Sequence, residues 1–276
     1  MKIAIHQMCS GVNFLENTAK MANSIQKAAD EGAAMYFAPE MSILLDSNRN
    51  RSRDQIATEA RSTALEMMQQ AAKAASIWVH LGSMPVLHDD GTGRYANRSF
   101  IIDKLGQIRG RYDKIHLFDV DLSSGESWRE SSAYQGGSEV VIVDTPIGPM
   151  GLSICYDLRF PDLYSQLSKS FVNALAVPAA FTEQTGKAHW HVLLRARAIE
   201  AEAFVIAAAQ SGRHEDGRHT YGHSLVVDPW GEIILDMGAG EGLGFVEIDL
   251  KRIEETRRQI PVHKNRKDIP QTVTRY

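Results

Sequence analysis

The chain has 276 residues, 43% hydrophobic and 23% charged, with a formal net charge of -4. It holds no run of about 18 apolar residues that could span a membrane, and its slight acidic excess argues against a nucleic-acid partner, which calls for a basic patch. Two distant cysteines, Cys9 and Cys155, exclude a disulfide framework and a cysteine-rich zinc site and make a reducing, cytoplasmic compartment the expectation.

The opening segment KIAIHQM reads as a strand without the long apolar stretch of a signal peptide. NTAKMANSIQKAADEG follows as an amphipathic helix closed by Gly32, and AAMYFAPE as a buried strand ending in Glu40. DSNRNRSRD is expected to be a charged loop and the stretch from Ser52 to Ser76 one long helix. IWVHLGSMPVLH, GRYANRSFIIDKLG and GQIRGRYDKIHLF read as strands joined by Gly and Asp turns, and SEVVIVDTPIGPMGLSICYD as two strands around TPIGP. A helix PDLYSQLSKSF, a strand ALAVPAAF, a helix starting at AHWH and a strand FVIAAAQ come next. Strands SLVVDPWG, EIILDMG and LGFVEIDL, a helix KRIEETRRQ and a polar tail complete the chain. Without a linker or short repeat, residues 1–276 are expected to form a single domain of layered α/β or α+β architecture.

Reactive side chains gather at strand ends, where a rigid sheet aims them. Glu40, Lys114 and Cys155 occupy such positions. A thiol with pKa about 8.5 needs a neighbouring base or cation to act as a nucleophile. Glu40 could take the proton, Lys114 could favour the thiolate and hold an oxyanion, and the Tyr156 N–H could be a second oxyanion donor. The plain alternative is a cysteine that packs a core, a glutamate that faces a loop and a lysine on the surface. Spacing alone leaves that choice open.

FAPEMS, YDKIHLFDV and GLSICYDLRFPDL together, in this order, resemble the three signature segments of the nitrilase, or carbon–nitrogen hydrolase, superfamily, and the likeness runs on through GHSLVVDPWGEII. The resemblance implies an α+β fold, a four-layer α-β-β-α sandwich, usually paired across helices as a homodimer. It implies Glu40 as general base and acid, Lys114 as the stabiliser of the tetrahedral intermediate and Cys155 as the nucleophile. Glu130, in the better-fitting RES context, is preferred over Glu126 as a second glutamate supporting the lysine. The implied activity is hydrolysis of a linear amide bearing carboxylates, through a cysteine thioester, to an acid and ammonia, with no metal or organic cofactor.

The segment TGKAHWHVLLRARAIEAEAFVIAAAQSGRHEDGRHTYGHSLVVDPWG resembles the branch that includes deaminated-glutathione amidases, which yield 2-oxoglutarate and cysteinylglycine. His191, Lys187 and Ala179 depart from the residues common there, a glutamate, a proline and a serine. An ω-amidase acting on 2-oxoglutaramate, an N-carbamoyl amidohydrolase and a catalytically idle interaction protein are the alternatives; the presence of all three catalytic residue types speaks against the last. An acidic substrate needs a cation, and Arg159 is the candidate, as guanidinium grips carboxylate bidentately; its alternative is a structural pairing with Asp157 or Asp162. Phe181 and Thr182 are further candidates for the pocket wall. The histidines of AHWH and RHEDGRHTYGH invite a metal reading, but His189 and His191 diverge on a helix and no carboxylate partner is evident, so no catalytic metal is expected.

Overall fold

The computed structural model of the chain describes residues 1–121, 125, 127–270 and 275. Two sheets face each other. The first comprises β1 (Lys2–Gln7), β2 (Met35–Phe37), β3 (Trp78–His80), β4 (Met84–Leu87), β5 (Tyr95–Ile102), β6 (Ile108–Asp113) and β17 (Gly242–Glu247), in the order β17-β1-β2-β3-β5-β4 with β6 also on β5. The second comprises β9 (Ile142–Thr145), β10 (Gly148–Leu152), β11 (Ala174–Ala176), β12 (Phe204–Ala207), β15 (Leu225–Val227) and β16 (Ile233–Asp236), in the order β16-β15-β12-β11-β10-β9. Each has three parallel strands at its centre, β1-β2-β3 and β10-β11-β12, with antiparallel neighbours outside. Helices α1 (Phe14–Asp30) and α3 (Thr63–Ala75) cover the first sheet, and α4 (Pro161–Lys169) and α5 (Glu183–Ala201) the second. The architecture is the four-layer α-β-β-α sandwich.

Strand periodicity explains the layering. Ile3, Ile5, Met35 and Phe37 join Met150 and Leu152 of the opposite sheet in one buried cluster. Ala4 and Tyr36, one residue out of phase, join Met21, Ile25 and Met68 of the covering helices in another. Such strands are apolar on both faces because both faces are covered.

Several boundaries differ from the sequence reading. Helix α1 begins at Phe14 because the Asn13 side chain accepts from the Leu15 N–H at 3.0 Å. The expected helix from Ser52 to Ser76 is broken. Within it and the charged loop before it lie α2 (Arg49–Ser52) and two short 3-10 turns, and α3 starts only after Ser62, whose hydroxyl accepts from the Leu65 N–H at 3.2 Å. Between them the chain runs extended, with the Ala57 carbonyl accepting from the Leu87 N–H, so an edge contact overrides helix propensity. Two hairpins were not anticipated, β7 (Asp119–Asp121) with β8 (Ser127–Arg129) and β13 (Ser211–Arg213) with β14 (His219–Tyr221). The tail holds α6 (Lys251–Gln259), as expected, and the single turn α7 (Val262–Asn265).

The break between β3 and β4 serves the loop that carries Glu40. Gly82 has φ 74°, and a Cβ there would lie 2.0 Å from the Pro39 carbonyl oxygen. Gly82→Ala should therefore cost about 3 kcal/mol or more, the sum of a left-handed backbone and a clash with backbone that cannot swing aside. Urea unfolding checks this; an unchanged midpoint would mean that the Pro39 segment yields freely.

Candidate active site

The carboxyl ends of the central strands point to one side of the sandwich, where open α/β sheets bind their ligands. Glu40 lies three residues beyond β2, Lys114 directly follows β6, Cys155 lies three residues beyond β10, and Phe181 and Thr182 stand between β11 and α5. All of them, with Glu130, Tyr156 and Arg159, line one cavity of about 360 Å³, within the usual range for small-molecule sites, about 300–1,000 Å³. Glu126 lies outside the described residues.

The Lys114 ammonium sits between two carboxylates, 2.8 Å from Glu40 Oε1 and 2.9 Å from Glu130 Oε2. Asn97 ties the same two groups together, its Nδ2 donating to Glu40 Oε1 at 2.9 Å and to Glu130 Oε1 at 3.1 Å. The Ala180 N–H donates to Glu40 Oε2 at 2.9 Å, and the Phe118 N–H to Glu130 Oε2 at 2.7 Å. Behind the site, Gln210 Nε2 holds the Glu40 carbonyl at 2.9 Å and Ser83 Oγ accepts from the Met41 N–H at 3.0 Å. The Glu40 loop is therefore clamped from both sheets. Sequence reasoning missed Asn97, Gln210 and the Ala180 N–H. Asn97 sits mid-strand with no motif around it, and its function is visible only once β5 lies beside the Glu40 loop.

Cys155 has φ 48°, a left-handed conformation that costs a non-glycine residue about 1–2 kcal/mol. The surroundings enforce it: its N–H donates to the Pro178 carbonyl at 2.9 Å, and a 3-10 turn over Cys155–Arg159 follows. Asp157, fully buried, pins that turn by accepting from the Ile154 N–H at 2.9 Å, the Tyr112 hydroxyl at 2.7 Å and the His116 N–H at 2.9 Å. The His116 imidazole lies 2.7 Å from the same carboxylate and stacks on Phe160 at 3.6 Å. Tyr112 and His116 belong to the first sheet and its exit, so Asp157 fastens the Cys155 turn to the element that carries Lys114.

The Lys114 ammonium favours the thiolate, as expected, but it is not the largest influence on the sulfur. Burial, and then the Glu40 charge, push the Cys155 thiol well above its ordinary value, and the Lys114 ammonium does not overcome them. Burial would raise Glu40 as well, but Lys114 and the bonds from Cys155 and Asn97 more than offset it and leave Glu40 below the usual carboxylate range. Lys114 is desolvated, which favours its neutral form, yet Glu130 and Glu40 together hold it charged far above neutrality. At neutral pH the trio is thiol, carboxylate and ammonium: a proton donor beside a ready acceptor, with a fixed positive charge at hand.

Arg159 pairs with neither Asp157 nor Asp162. Its Nη1 donates to His189 Nδ1 at 3.2 Å, and its guanidinium carbon lies 5.3 Å from the centre of the Phe181 ring. Among the described residues it has no carboxylate partner, although it lines the cavity. Of the three further arginines of the wall, Arg129 pairs with Asp121 at 2.7 Å and Arg218 with Asp216 at 3.2 Å, while Arg49 donates to the carbonyl and hydroxyl oxygens of Ser132. Phe181 packs on Trp190 at 4.8 Å. The Thr182 hydroxyl caps α5, accepting from the Thr185 N–H at 3.4 Å, which gives this residue a structural task beside its place in the wall.

The chain matches the carbon-nitrogen hydrolase family over residues 2–258. It belongs to that family. This carbon–nitrogen hydrolase is 36% identical to the deaminated glutathione amidase of Yersinia enterocolitica, covering 99% of this chain and 95% of the relative, and 39% identical to that of Dictyostelium discoideum, covering 96% and 94%. Among solved structures it resembles the Caenorhabditis elegans NitFhit protein, with TM-score 0.89 and 38% identity over 96% of this chain and 64% of that one. Saccharomyces cerevisiae Nit3, of branch 10 of the nitrilase superfamily, matches with TM-score 0.85 and 29% identity over 95% and 94%. The hydrolase is an enzyme acting on amides.

Because the Asn97 N–H lowers the Glu40 pKa, its loss lets Glu40 accept a proton at higher pH. Asn97→Ala should move the acid limb of kcat/KM to higher pH. A pH–rate profile that falls in height with its acid limb in place would reduce Asn97 to packing.

Proposed function

We propose that this hydrolase cleaves the amide of deaminated glutathione, with Cys155 as nucleophile, Glu40 as general base and acid, and Lys114 as oxyanion stabiliser. The observation that carries the reading is the closed arrangement of Glu40, Lys114 and Glu130 beside Cys155 in a cavity that also presents Arg159, which has no carboxylate partner among the described residues. The name borne by the bacterial and amoebal relatives supports the substrate.

In this mechanism Cys155 Sγ attacks the amide carbon as its proton passes to Glu40. The charge developing on the oxygen is met by Lys114 Nζ and the Tyr156 N–H. Glu40 returns the proton to the amide nitrogen, the C–N bond breaks, and a thioester remains on Cys155. Water then attacks the thioester carbon, giving its proton to Glu40; the sulfur departs, recovers that proton, and 2-oxoglutarate leaves. One correction to the expected products follows from the bond cleaved. The nitrogen of deaminated glutathione leaves as the amino group of cysteinylglycine, and ammonia is the product only with primary amides. Glu130 keeps Lys114 charged and in place, so that the ammonium need not follow the proton of Glu40.

Arg159 takes the carboxylate of the oxo-acid half by a paired, charge-assisted contact, with Phe181 and Tyr156 forming the apolar wall around it. The enzyme acts as a cytoplasmic homodimer in this proposal. No described helix is long and apolar enough to cross a membrane. Exposed Val192 and Ile199 on α5, with Ile199 against the turn that carries exposed Trp230, offer the apolar face for a second copy.

Cys155→Ala should lower kcat/KM by about 10⁴ or more, and intact mass under turnover should find the 2-oxoglutaryl adduct on the wild type alone. Arg159→Ala should raise KM about tenfold or more with a smaller effect on kcat. An adduct of the same mass on Cys155→Ala would refute the nucleophile, and faster turnover of 2-oxoglutaramate than of deaminated glutathione would hand the substrate to the ω-amidase reading.

A further inference from the structure

Away from the cavity, three side chains from separate elements converge. His191 lies on α5, His223 between β14 and β15, and Asp236 at the end of β16. His191 Nε2 is 3.1 Å from Asp236 Oδ2, and His223 Nδ1 is 2.9 Å from Oδ1 and 3.2 Å from Oδ2 of the same carboxylate. One ligand atom from each lies within 4.8 Å of the others. None of the three lines the catalytic cavity.

We propose that His191, His223 and Asp236 form a binding site for a divalent cation of the zinc class. The donor set is two imidazole nitrogens and one carboxylate oxygen, the set that borderline cations select over magnesium or calcium. Bonds of about 2.0–2.1 Å to a tetrahedral ion put neighbouring ligand atoms roughly 3.3 Å apart. The two imidazole–carboxylate separations are close to that already, and only the imidazole–imidazole one has to tighten, by side-chain rotation. All three groups are about a third exposed or less, which leaves a fourth position open to water.

The surroundings orient the donors. The Tyr221 ring stacks on His223 at 4.3 Å and meets His191 edge-on at 6.0 Å. The Gly238 N–H donates to Asp236 Oδ1 at 2.9 Å, and the His223 N–H donates to the Gly238 carbonyl at 2.7 Å. The Trp190 indole N–H donates to the His223 carbonyl at 2.7 Å, fixing the histidine's backbone in its left-handed conformation. Such outer contacts set ring orientation at metal sites. His189 turns away toward Arg159 and His214 is taken by Ser10 and Thr220, so the site uses one histidine from each of the two sequence clusters. Asp236, from a strand that sequence gave no reason to connect with them, is the partner that completes it. The competing reading is a metal-free chain of hydrogen bonds, His191–Asp236–His223.

The test uses the full chain freed of metal with a chelator, titrated with Zn²⁺ by calorimetry and with Co²⁺ by visible absorption. One equivalent should bind, with Co²⁺ giving ligand-field bands of nitrogen and oxygen donors and no sulfur-to-metal charge transfer in the near ultraviolet. Affinity should fall at least tenfold in His191→Gln and again in Asp236→Asn. The metal-free variants should hydrolyse amide at the wild-type rate, which certifies their fold; if one misfolds, the other carries the comparison. No binding up to about millimolar metal, unchanged affinity in a folded variant, or a charge-transfer band that disappears in Cys155→Ala would each overturn the site.

Discussion

Lys114 carries a positive charge into a position where its side chain is 2% exposed, and only two carboxylates within 2.9 Å make that tolerable. Stripping water from an ammonium costs several kcal/mol, and removing one partner of such a pair typically costs about 3–5 kcal/mol. The geometry around it follows from this constraint. Glu40 and Glu130 must each approach to hydrogen-bonding distance, and two carboxylates sharing one cation repel each other. The Asn97 amide between them, the Ala180 N–H and the Phe118 N–H supply the remaining donors. The result is a set of three charges with one negative in excess, against which a neutral thiol is the stable neighbour. In the proposed mechanism, proton transfer from sulfur to Glu40 belongs to the encounter with substrate.

The scaffold behind the charges is built for rigidity where it matters. Cys155 is held in an unfavourable backbone conformation by a turn that Asp157 pins with three hydrogen bonds from two parts of the chain. The Glu40 loop is held by Gln210 from one side and by the Ser83 segment from the other. Positions that must not move by an ångström are thereby tied by buried polar contacts, which are directional, while the aliphatic clusters between the layers supply the bulk of the cohesion.

Much of this was legible in the sequence. The buried strands show as apolar runs bounded by turns, and the family segments single out Glu40, Lys114 and Cys155, which the fold brings to one cavity. What stayed hidden has a common cause. Asn97, Gln210 and Asp157 act across tertiary contacts, and a polar residue in a strand does not announce its partner in another sheet. The supposed long helix failed because Ser62 caps and the Ala57 segment pairs at an edge, both stronger than the helix propensity of the residues between. The balance of forces on Cys155 was not legible because a cation nearby is visible in a motif, whereas the depth of burial and the position of the Glu40 charge are not.

Glu40 and Lys114 extend from one sheet and Cys155 from the other, with the Asp157 cluster as the seam between them. Neither half of the sandwich is a partial enzyme. Until the halves dock, the sulfur lies beside neither the Glu40 carboxylate nor the Lys114 ammonium. The grouping of the three side chains is thus a property of the docked sandwich, set by the same contacts that hold its two sheets together.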